Sequence, residues 1–401
     1  MANILFTWEL GGNLGHLGYL KALMSLAARQ GHSLSVALKN LRYADRVLGG
    51  LEYRCFQAPY RQASNPRPVP QSLSFAHTLE DFCFSDAGEL FLRIRAWREI
   101  FDTVAPDLLY CDFSPGALIA SRGLGIPRVA IGNGFMTPPP EPRQGVFAPY
   151  PTTKSDEQTL TALRDNDARL LLVLNAACKR AGVPLFENLG EIFGQADRRP
   201  LATLAELDHF GWRDSPDYVG VQPSFGSAAP IWPEAGERRV FCYLQDFLGL
   251  QTLLDELVAA NLAVLVYTRE PPVALQERFR AVPNLRFTSE AITIEALKEQ
   301  AHFIVHHAGH GVAVQSFLSG LPQLSIPTQQ EQLLTALQLD RAGVGETARH
   351  FQQSFAGEIR ALANDGRYRD RAQQYRERYS SFSWAQSEAR ILADMAQLLG
   401  A

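Results

Sequence analysis

The feature that most constrains the fold is a strand–loop–helix–strand pattern that recurs along the chain. It first appears as ANILFTW, a run with strand character, followed by the glycine-rich loop ELGGNLGH and the alternating run SLSVAL. The intervening helical stripe comprises Leu17, Leu20, Leu23, Met24 and Ala27. Such a unit builds a parallel sheet, because parallel neighbours need a crossover connection. Its return at PDLLYCDF, GALIASRGLG and PRVAIGNG predicts a doubly wound α/β first half.

A proline- and glycine-rich stretch, QPSFGSAAPIWPEAGE, interrupts this pattern and is typical of a linker. The pattern then restarts with RRVFCYL, a leucine-rich helix and LAVLVYT, and continues with HFIVHH and GLPQLSIP. The sequence therefore predicts an N-terminal domain over 1–222, a linker over 223–237, a second α/β domain over 238–383 and a terminal helix over 384–401.

The overall composition excludes several classes of function. A chain of 401 residues with a net charge of −4 suits two globular domains and lacks the basic footprint of a nucleic-acid-binding protein. The five cysteines are scattered without a CxxC pair, which favours a reducing compartment over a disulfide framework. The longest apolar runs, such as LLLVL, fall short of a membrane span. We therefore expect a cytoplasmic protein without stable membrane insertion.

The most informative segment runs from 306 to 336, HHAGHGVAVQSFLSGLPQLSIPTQQEQLLTA. It combines the end of a strand, a glycine turn and the start of a helix. Gly309 and Gly311 let the backbone approach a ligand, and the following helix N-terminus offers free N–H groups, a combination that suits a diphosphate. His307 and His310 can add hydrogen-bond donors. The alternative is that the glycines serve only a tight turn.

A zinc site built from His306, His307 and His310 is disfavoured. Adjacent histidines on a strand point to opposite faces. In addition, no nearby cysteine or carboxylate completes a tetrahedral set. We therefore predict no metal.

Two loops rich in glycine and histidine, 11–16 and 306–311, both follow predicted strands. In open parallel sheets, ligands bind beyond the carboxyl ends of the strands. We therefore expect both loops to open onto a cleft between the two domains.

The segment 306–336 resembles the donor-binding signature of the UDP-glycosyltransferase-like superfamily, which includes macrolide and plant natural-product glycosyltransferases. The matching residues are His307, Ala308, Gly309, Gly311, Gly320-Leu321-Pro322, Pro327, Glu331-Gln332 and Thr335-Ala336. The resemblance implies the GT-B fold, with two Rossmann-like parallel-sheet domains facing a cleft and the terminal helix packing back on the first domain. It further implies that His307 and the glycine loop hold a diphosphate, whereas Glu331 and Gln332 contact the donor sugar.

Three positions depart from the family pattern. Val312 stands where the family has a hydroxyl residue, and Gln315 stands where a glutamate clasps the ribose. Asp246 lies near the place of a glycine-hydroxyl turn after the first strand of the second domain. These departures leave the nucleoside open.

The Gly15-His16 pair matches the position of the family's catalytic histidine, which deprotonates the acceptor hydroxyl. A carboxylate partner is expected for such a base, and Asp112 fits the family's position for it, with Asp107 as the rival. Gly12 and Gly15 are assigned to the donor site. The alternatives are helix capping for both His16 and Asp112, or a phosphate-loop role for His16.

Aromatic residues gather in the first half, which holds the acceptor in GT-B enzymes. The candidates for an apolar acceptor pocket are Phe82, Phe84, Asn133 and Phe135. Aromatic residues at such spacing also serve as plain core.

These features favour an inverting, metal-independent hexosyltransferase that uses a UDP or dTDP sugar and a small, apolar or lipid-like acceptor. The alternatives are a non-catalytic nucleotide-sugar-binding helper and a GT-B sugar-nucleotide epimerase. A homodimer is left open.

Overall fold

The computed structural model describes residues 1–12, 14–222, 228–268 and 272–400. Part of the predicted linker, 223–227, lies outside these residues. The chain divides into two compact units. The first comprises Met1–Thr203, Phe210–Gly220 and Ala385–Ala401, and the second Leu204–His209 and Val221–Trp384.

The first unit is built on a parallel sheet flanked by helices. Its elements are β1 (Asn3–Trp8), α1 (Leu14–Arg29), β2 (Ser33–Leu38), α2 (Ala44–Leu48), β3 (Arg54–Gln57), α3 (Phe75–Asp81), α4 (Ala87–Val104), β4 (Leu108–Asp112), α5 (Pro115–Ser121), β5 (Arg128–Ile131), α6 (Glu157–Ala181), α7 (Glu191–Gly194), β6 (Pro200–Leu201) and β7 (Asp217–Tyr218). A 3₁₀ turn spans Val69–Gln71. The strand order is β3-β2-β1-β4-β5, and β6 pairs with β7 in a separate small sheet. The predicted α/β first half is thus confirmed.

The second unit repeats this plan with one more strand. After a 3₁₀ turn at Ala205–Leu207, its elements are β8 (Arg238–Tyr243), α8 (Leu250–Ala259), β9 (Leu262–Tyr267), α9 (Val273–Phe279), β10 (Leu285–Thr288), α10 (Ile294–Leu297), β11 (Phe303–His306), α11 (His310–Leu318), β12 (Gln323–Ser325), α12 (Gln330–Ala342), β13 (Gly345–Thr347), α13 (Ala356–Asn364) and α14 (Gly366–Arg378). The order β10-β9-β8-β11-β12-β13 is that of a dinucleotide-binding doubly wound sheet.

The central strands are buried along nearly their whole length because helices cover both faces of each sheet. This explains why they read as apolar runs rather than as alternating patterns. In the second unit, Val240, Val264 and Val305 pack with leucines of α8 in one apolar core.

Residues 204–209 depart from the predicted boundary, because they belong to the second unit although the first domain was drawn through to 222. The cause is apolar packing. Leu204 and Leu207 are buried in a cluster with Phe317 and Leu339 of that unit.

The last helix, α15 (Trp384–Leu398), belongs to the first unit over nearly all its length. The Ser387 hydroxyl donates to the Val219 carbonyl at 2.5 Å. Arg198 Nε donates to Asp394 at 3.1 Å. These contacts attach the C-terminal helix to the sequence-distant part of its own unit.

The order of each sheet reverses at one pair of strands, β1 and β4 in the first unit and β8 and β11 in the second. The last residues of the first pair, Trp8 and Asp112, are direct neighbours across the sheet. Tyr243 and His306 are neighbours in the same way in the second pair. Such reversal points are where doubly wound sheets bind ligands, and both predicted site loops begin there.

Candidate active site

His16 and Asp112 form a buried hydrogen-bonded pair at the reversal point of the first sheet. His16 lies in the first turn of α1, just beyond β1, whereas Asp112 ends β4. His16 Nδ1 lies 2.9 Å from Asp112 Oδ2, and both side chains are at most 4% exposed. Adjacent parallel strands thus bring together two residues that are 96 positions apart in the chain. This geometry is that of an imidazole oriented by a carboxylate.

Aromatic rings fix the plane of the His16 imidazole. The ring stacks on Trp8 at 4.9 Å between centroids and on Phe113 at 6.4 Å. Gly11 adopts φ +80°, and a Cβ added there would lie 2.7 Å from His16 Nε2. A side chain at position 11 would therefore collide with the nitrogen that faces away from Asp112.

The residue after Asp112 holds an uncommon backbone conformation. Phe113 has φ +44°, in the left-handed region that costs a non-glycine residue about 1–2 kcal/mol. The turn is held by a hydrogen bond from the Leu10 amide to the Phe113 carbonyl at 3.0 Å. This turn is what places the Phe113 ring on His16.

A second carboxylate, Glu9, follows β1 and is fully buried. Its Oε2 accepts the Gly116 amide at 2.6 Å, at the start of α5. Arg93 Nη1 lies 3.7 Å from its Oε1. Burial raises the pKa of Glu9 to about 7 despite that neighbouring guanidinium. Sequence reasoning missed this group.

Asp107, the rival partner for His16, lies at the opposite end of the sheet. It precedes β4, is exposed, and accepts the Asn3 amide at 2.7 Å. This hydrogen bond joins the amino ends of β1 and β4. Asp107 is therefore excluded as the partner of His16.

In the second unit, the strand-to-helix loop after β11 forms an open cradle. Ala308 adopts φ +56°, and Gly309 is the N-cap of α11. A Cβ added at Gly309 or Gly311 would meet no atom within 4 Å. The first-turn amides of α11 have no partner within the helix, and the dipole of the helix favours an anion at this end.

His306 is a structural residue of this loop. It is buried, its Nε2 lies 2.9 Å from Gln323 Oε1, and its Nδ1 accepts the Ala308 amide at 2.9 Å. Burial lowers its pKa to about 4, so the ring is neutral at physiological pH. The ring thereby supports the positive φ of Ala308.

His307 differs from its predicted role. Its Nδ1 lies 2.9 Å from the Ile326 carbonyl and donates to it, while Nε2 accepts the Gln245 amide at 3.0 Å. Both ring nitrogens are thus engaged by main chain. The ring ties the ends of β11 and β12 to the loop after β8 and leaves no N–H for a phosphate.

His310, the other histidine predicted to donate to a phosphate, has no hydrogen-bond partner for its Nε2 among the described residues. It is buried, its Nδ1 lies 3.4 Å from Thr335 Oγ1, and its ring lies 4.8 Å from that of His209. His209 Nε2 lies 2.9 Å from the same hydroxyl. Burial lowers the pKa of His310 to about 4. The Thr335 hydroxyl, on α12, therefore links the imidazole of His310, on α11, to that of His209.

One group of side chains in this network has the composition of a metal site. His209, His310 and Glu331 bring one potential ligand atom each within 4.8 Å of one another. The histidine triplet weighed in the sequence is not this group, because His306 and His307 are occupied elsewhere. His209 was missed because it is 126 residues from Thr335 and belongs to no local motif.

Two further donor-site residues, Gln332 and Gln315, are engaged by main-chain hydrogen bonds. Gln332 is buried, and its Oε1 accepts the Thr328 amide at 2.9 Å, so it caps the start of α12 instead of presenting that oxygen to a sugar. Gln315 Nε2 donates to the Gln222 carbonyl at 2.8 Å. Glu331 is half-buried in the first turn of α12, and Asp246 is exposed.

Gly12 and Gly15 belong to the His16 loop of the first unit. Both are exposed, and a Cβ added at either would meet nothing within 4 Å. A ligand can therefore approach the backbone at both positions.

The acceptor candidates are mostly core residues. Phe84 is 2% exposed beneath the Arg93 guanidinium, and Phe135 packs edge-on against Phe75. Asn133 is buried and its Oδ1 caps the Met136 amide at 3.0 Å. Their assignment to a pocket is therefore corrected to core, because close packing leaves them no free face. Phe82 is half-buried and is not part of this core.

A simple signal would have found Glu9 in the first unit. It directly follows a predicted strand, as Asp112 ends one. Polar residues at the carboxyl ends of parallel strands converge on one edge of the sheet.

Comparisons with known proteins agree with this architecture. The family model for the erythromycin biosynthesis protein CIII-like C-terminal domain matches residues 251–395. A PGL/p-HBAD biosynthesis rhamnosyltransferase of Mycobacterium bovis (strain BCG / Pasteur 1173P2) is 25% identical over 292 residues, 70% of this chain and 65% of the relative. The matched part of the chain thus spans slightly less than two thirds of that relative's length.

Solved structures share the fold over nearly the whole chain. CalG4, the calicheamicin glycosyltransferase, has a TM-score of 0.69 at 18% identity and covers 100% of this chain and 98% of its own. The spinosyn rhamnosyltransferase SpnG, complexed with thymidine diphosphate, has a TM-score of 0.65 at 16% identity, with coverages of 95% and 96%.

The fold is therefore GT-B, with two Rossmann-like units that each carry a parallel sheet. In sequence, the chain is similar to glycosyltransferases of the macrolide and natural-product type over residues 251–395, which include the segment 306–336 that carries the predicted resemblance. Within the described ranges, no helix combines the length and the apolar character that crossing a bilayer requires.

Proposed function

We propose that this chain is an inverting glycosyltransferase that moves a sugar from a nucleoside diphosphate to an acceptor hydroxyl. The observation that carries the proposal is the buried 2.9 Å contact between His16 Nδ1 and Asp112 Oδ2. A carboxylate accepts hydrogen bonds, so Nδ1 carries the proton and Nε2 keeps the lone pair that a general base needs. The deprotonated oxygen attacks the anomeric carbon opposite the departing diphosphate, and the configuration inverts.

The diphosphate of the donor is proposed to bind at the first turn of α11. Support comes from the free amides there and from the open space beside Gly309 and Gly311. These amides, rather than the His307 ring, would meet the negative charge, and no resident metal is invoked. Glu331 is proposed to contact a hydroxyl of the sugar.

A thymidine-type donor is the first to test. The SpnG structure is a complex with thymidine diphosphate, and the mycobacterial relative is a rhamnosyltransferase. We therefore propose a dTDP-activated deoxyhexose as donor and a small, largely apolar hydroxyl compound as acceptor.

Replacing Gly311 by Ala is expected to raise the Kd of dTDP by about tenfold or more, because the new methyl group occupies the proposed diphosphate space. The fold should not suffer, since the Cβ meets nothing within 4 Å and Gly311 is helical. Calorimetric titration of UDP, dTDP and GDP, with thermal shift as a second readout, measures this effect.

Gly357→Ala is the matched control. Gly357 is also the second residue of a helix, α13, and its Cβ would likewise meet nothing within 4 Å. Its nucleotide affinity should stay at the wild-type value. Equal dTDP affinities of the wild type, Gly311→Ala and Gly357→Ala would contradict diphosphate binding at α11.

A further inference from the structure

Lys39 lies beside the loop that carries His16. It follows β2 directly, and its amide donates to the Trp8 carbonyl at 2.8 Å, so the ends of β2 and β1 are tied. Its ammonium donates to the Gly11 carbonyl. Gly11 in turn contacts the His16 ring, because a Cβ added there would lie 2.7 Å from Nε2. The ammonium and the candidate base therefore share one residue as a neighbour.

Aromatic rings surround this ammonium. It lies 5.0 Å from the centroid of Tyr60 and 5.4 Å from that of Phe82. Phe82 packs edge-on against Phe113 at 6.3 Å, and Phe113 stacks on His16. Tyr60 is 39% exposed and Lys39 itself is half-buried, so solvent reaches this cluster. A continuous set of contacts thus joins Lys39 to the candidate base within one unit.

The charge of Lys39 is not matched by an acid. Among the described residues, no carboxylate forms an ion pair with it, whereas the buried Arg93 faces Glu9 and Glu89. Burial alone lowers the pKa of Lys39. A half-buried ammonium gains most from an anionic partner, and cation–π contacts offset only part of its lost hydration. Among the described residues, the ammonium donates one hydrogen bond, to the Gly11 carbonyl, which leaves two of its three N–H groups for a ligand.

We propose that Lys39 binds a carboxylate on the acceptor, so that the acceptor is a hydroxy acid whose hydroxyl reaches His16. This inference rests on the proposed function for the role of His16, but the anion site itself is a matter of binding. Tyr60 and Phe82 would contact the apolar body of the same molecule. Lys39 is then a specificity-determining residue.

The test is equilibrium binding without donor, which separates the anion site from transferase activity. The probes are 4-hydroxybenzoate and 12-hydroxydodecanoate, each compared with its methyl ester by calorimetry. The wild type should bind at least one acid about 10- to 100-fold more tightly than its ester, the range expected for a charge-assisted hydrogen bond. Lys39→Met should abolish that preference and leave ester binding unchanged, whereas Lys39→Arg should keep it.

Several results would overturn the inference. Equal binding of acid and ester by the wild type, or no binding of any acid, excludes an anion site. Equal weakening of acid and ester binding in Lys39→Met would show that Lys39 only holds the Gly11 loop in place. A wild-type melting temperature of Lys39→Arg verifies that this variant is folded. Weakened dTDP binding in Lys39→Met, with acid binding intact, assigns the ammonium to the donor. Loss of sugar transfer with the acid preference intact refutes the proposed function alone.

Discussion

Replacing His16 by Ala is expected to lower kcat by about 10²–10⁴-fold, the contribution of a general base in proton transfer. The substitution removes the imidazole whose Nδ1 lies 2.9 Å from Asp112, and His16 belongs to the first unit, whereas the proposed diphosphate site lies in the second. The dTDP affinity should therefore stay at the wild-type value. Steady-state transfer rates together with dTDP titration measure both quantities.

His32→Ala is the matched control for this change. His32 belongs to the same unit and precedes β2, where its Nδ1 accepts the Ala2 amide at 3.3 Å, at the opposite end of the sheet. Its kcat should remain close to that of the wild type. A His16→Ala enzyme with a kcat within threefold of the wild type would exclude His16 as the base.

Replacing Asp112 by Asn is expected to cost about 10²–10⁴-fold in kcat with little change in the donor KM. An amide can donate to His16 Nδ1, which moves the ring proton to Nε2 and removes the lone pair from the side of the acceptor. Asp112→Glu tests geometry alone, because it keeps the charge and shifts the oxygen. Rate measurements on both variants, with circular dichroism to verify folding, test this prediction.

Asp107→Asn is the control for charge removal on the same strand. Asp107 precedes β4 and contacts the Asn3 amide at the far end of the sheet. It should retain wild-type kcat. If Asp107→Asn lost activity and Asp112→Asn kept it, the structural choice between the two carboxylates would be reversed.

The pairing of His16 with Asp112 was predicted from the family resemblance, which implies both roles, and the local sequence pattern places both residues at the ends of strands. Apolar runs mark the parallel strands, and polar residues at strand ends mark the edge where ligands bind. Once β1 and β4 are neighbours, Trp8 and Asp112 are fixed in register. His16 lies in the first turn of α1, the helix that follows β1. The fold and the His16–Asp112 pair of the candidate site could therefore be predicted from the sequence.

The candidate donor-binding site of the second unit was harder to predict, because its side chains contact residues that are distant in sequence. His307 is engaged by Gln245, 62 residues away, and its motif does not reveal that. His209 reaches Thr335 across 126 residues. The boundary at 204–209 failed for a similar reason, since only packing against Phe317 and Leu339 shows where these residues belong.

The most direct test of the central claim is transfer itself. Purified protein is incubated with dTDP-L-rhamnose and a panel of hydroxyl acceptors, and product and dTDP are followed by mass spectrometry and NMR. If the enzyme is an inverting transferase, dTDP is released only when an acceptor is present. The product is a glycoside whose anomeric configuration is opposite to that of the donor. Retained configuration would contradict the inverting mechanism. Binding of a dTDP-sugar without turnover, for every acceptor and nucleotide sugar tried, would contradict transfer and favour a non-catalytic nucleotide-sugar-binding protein.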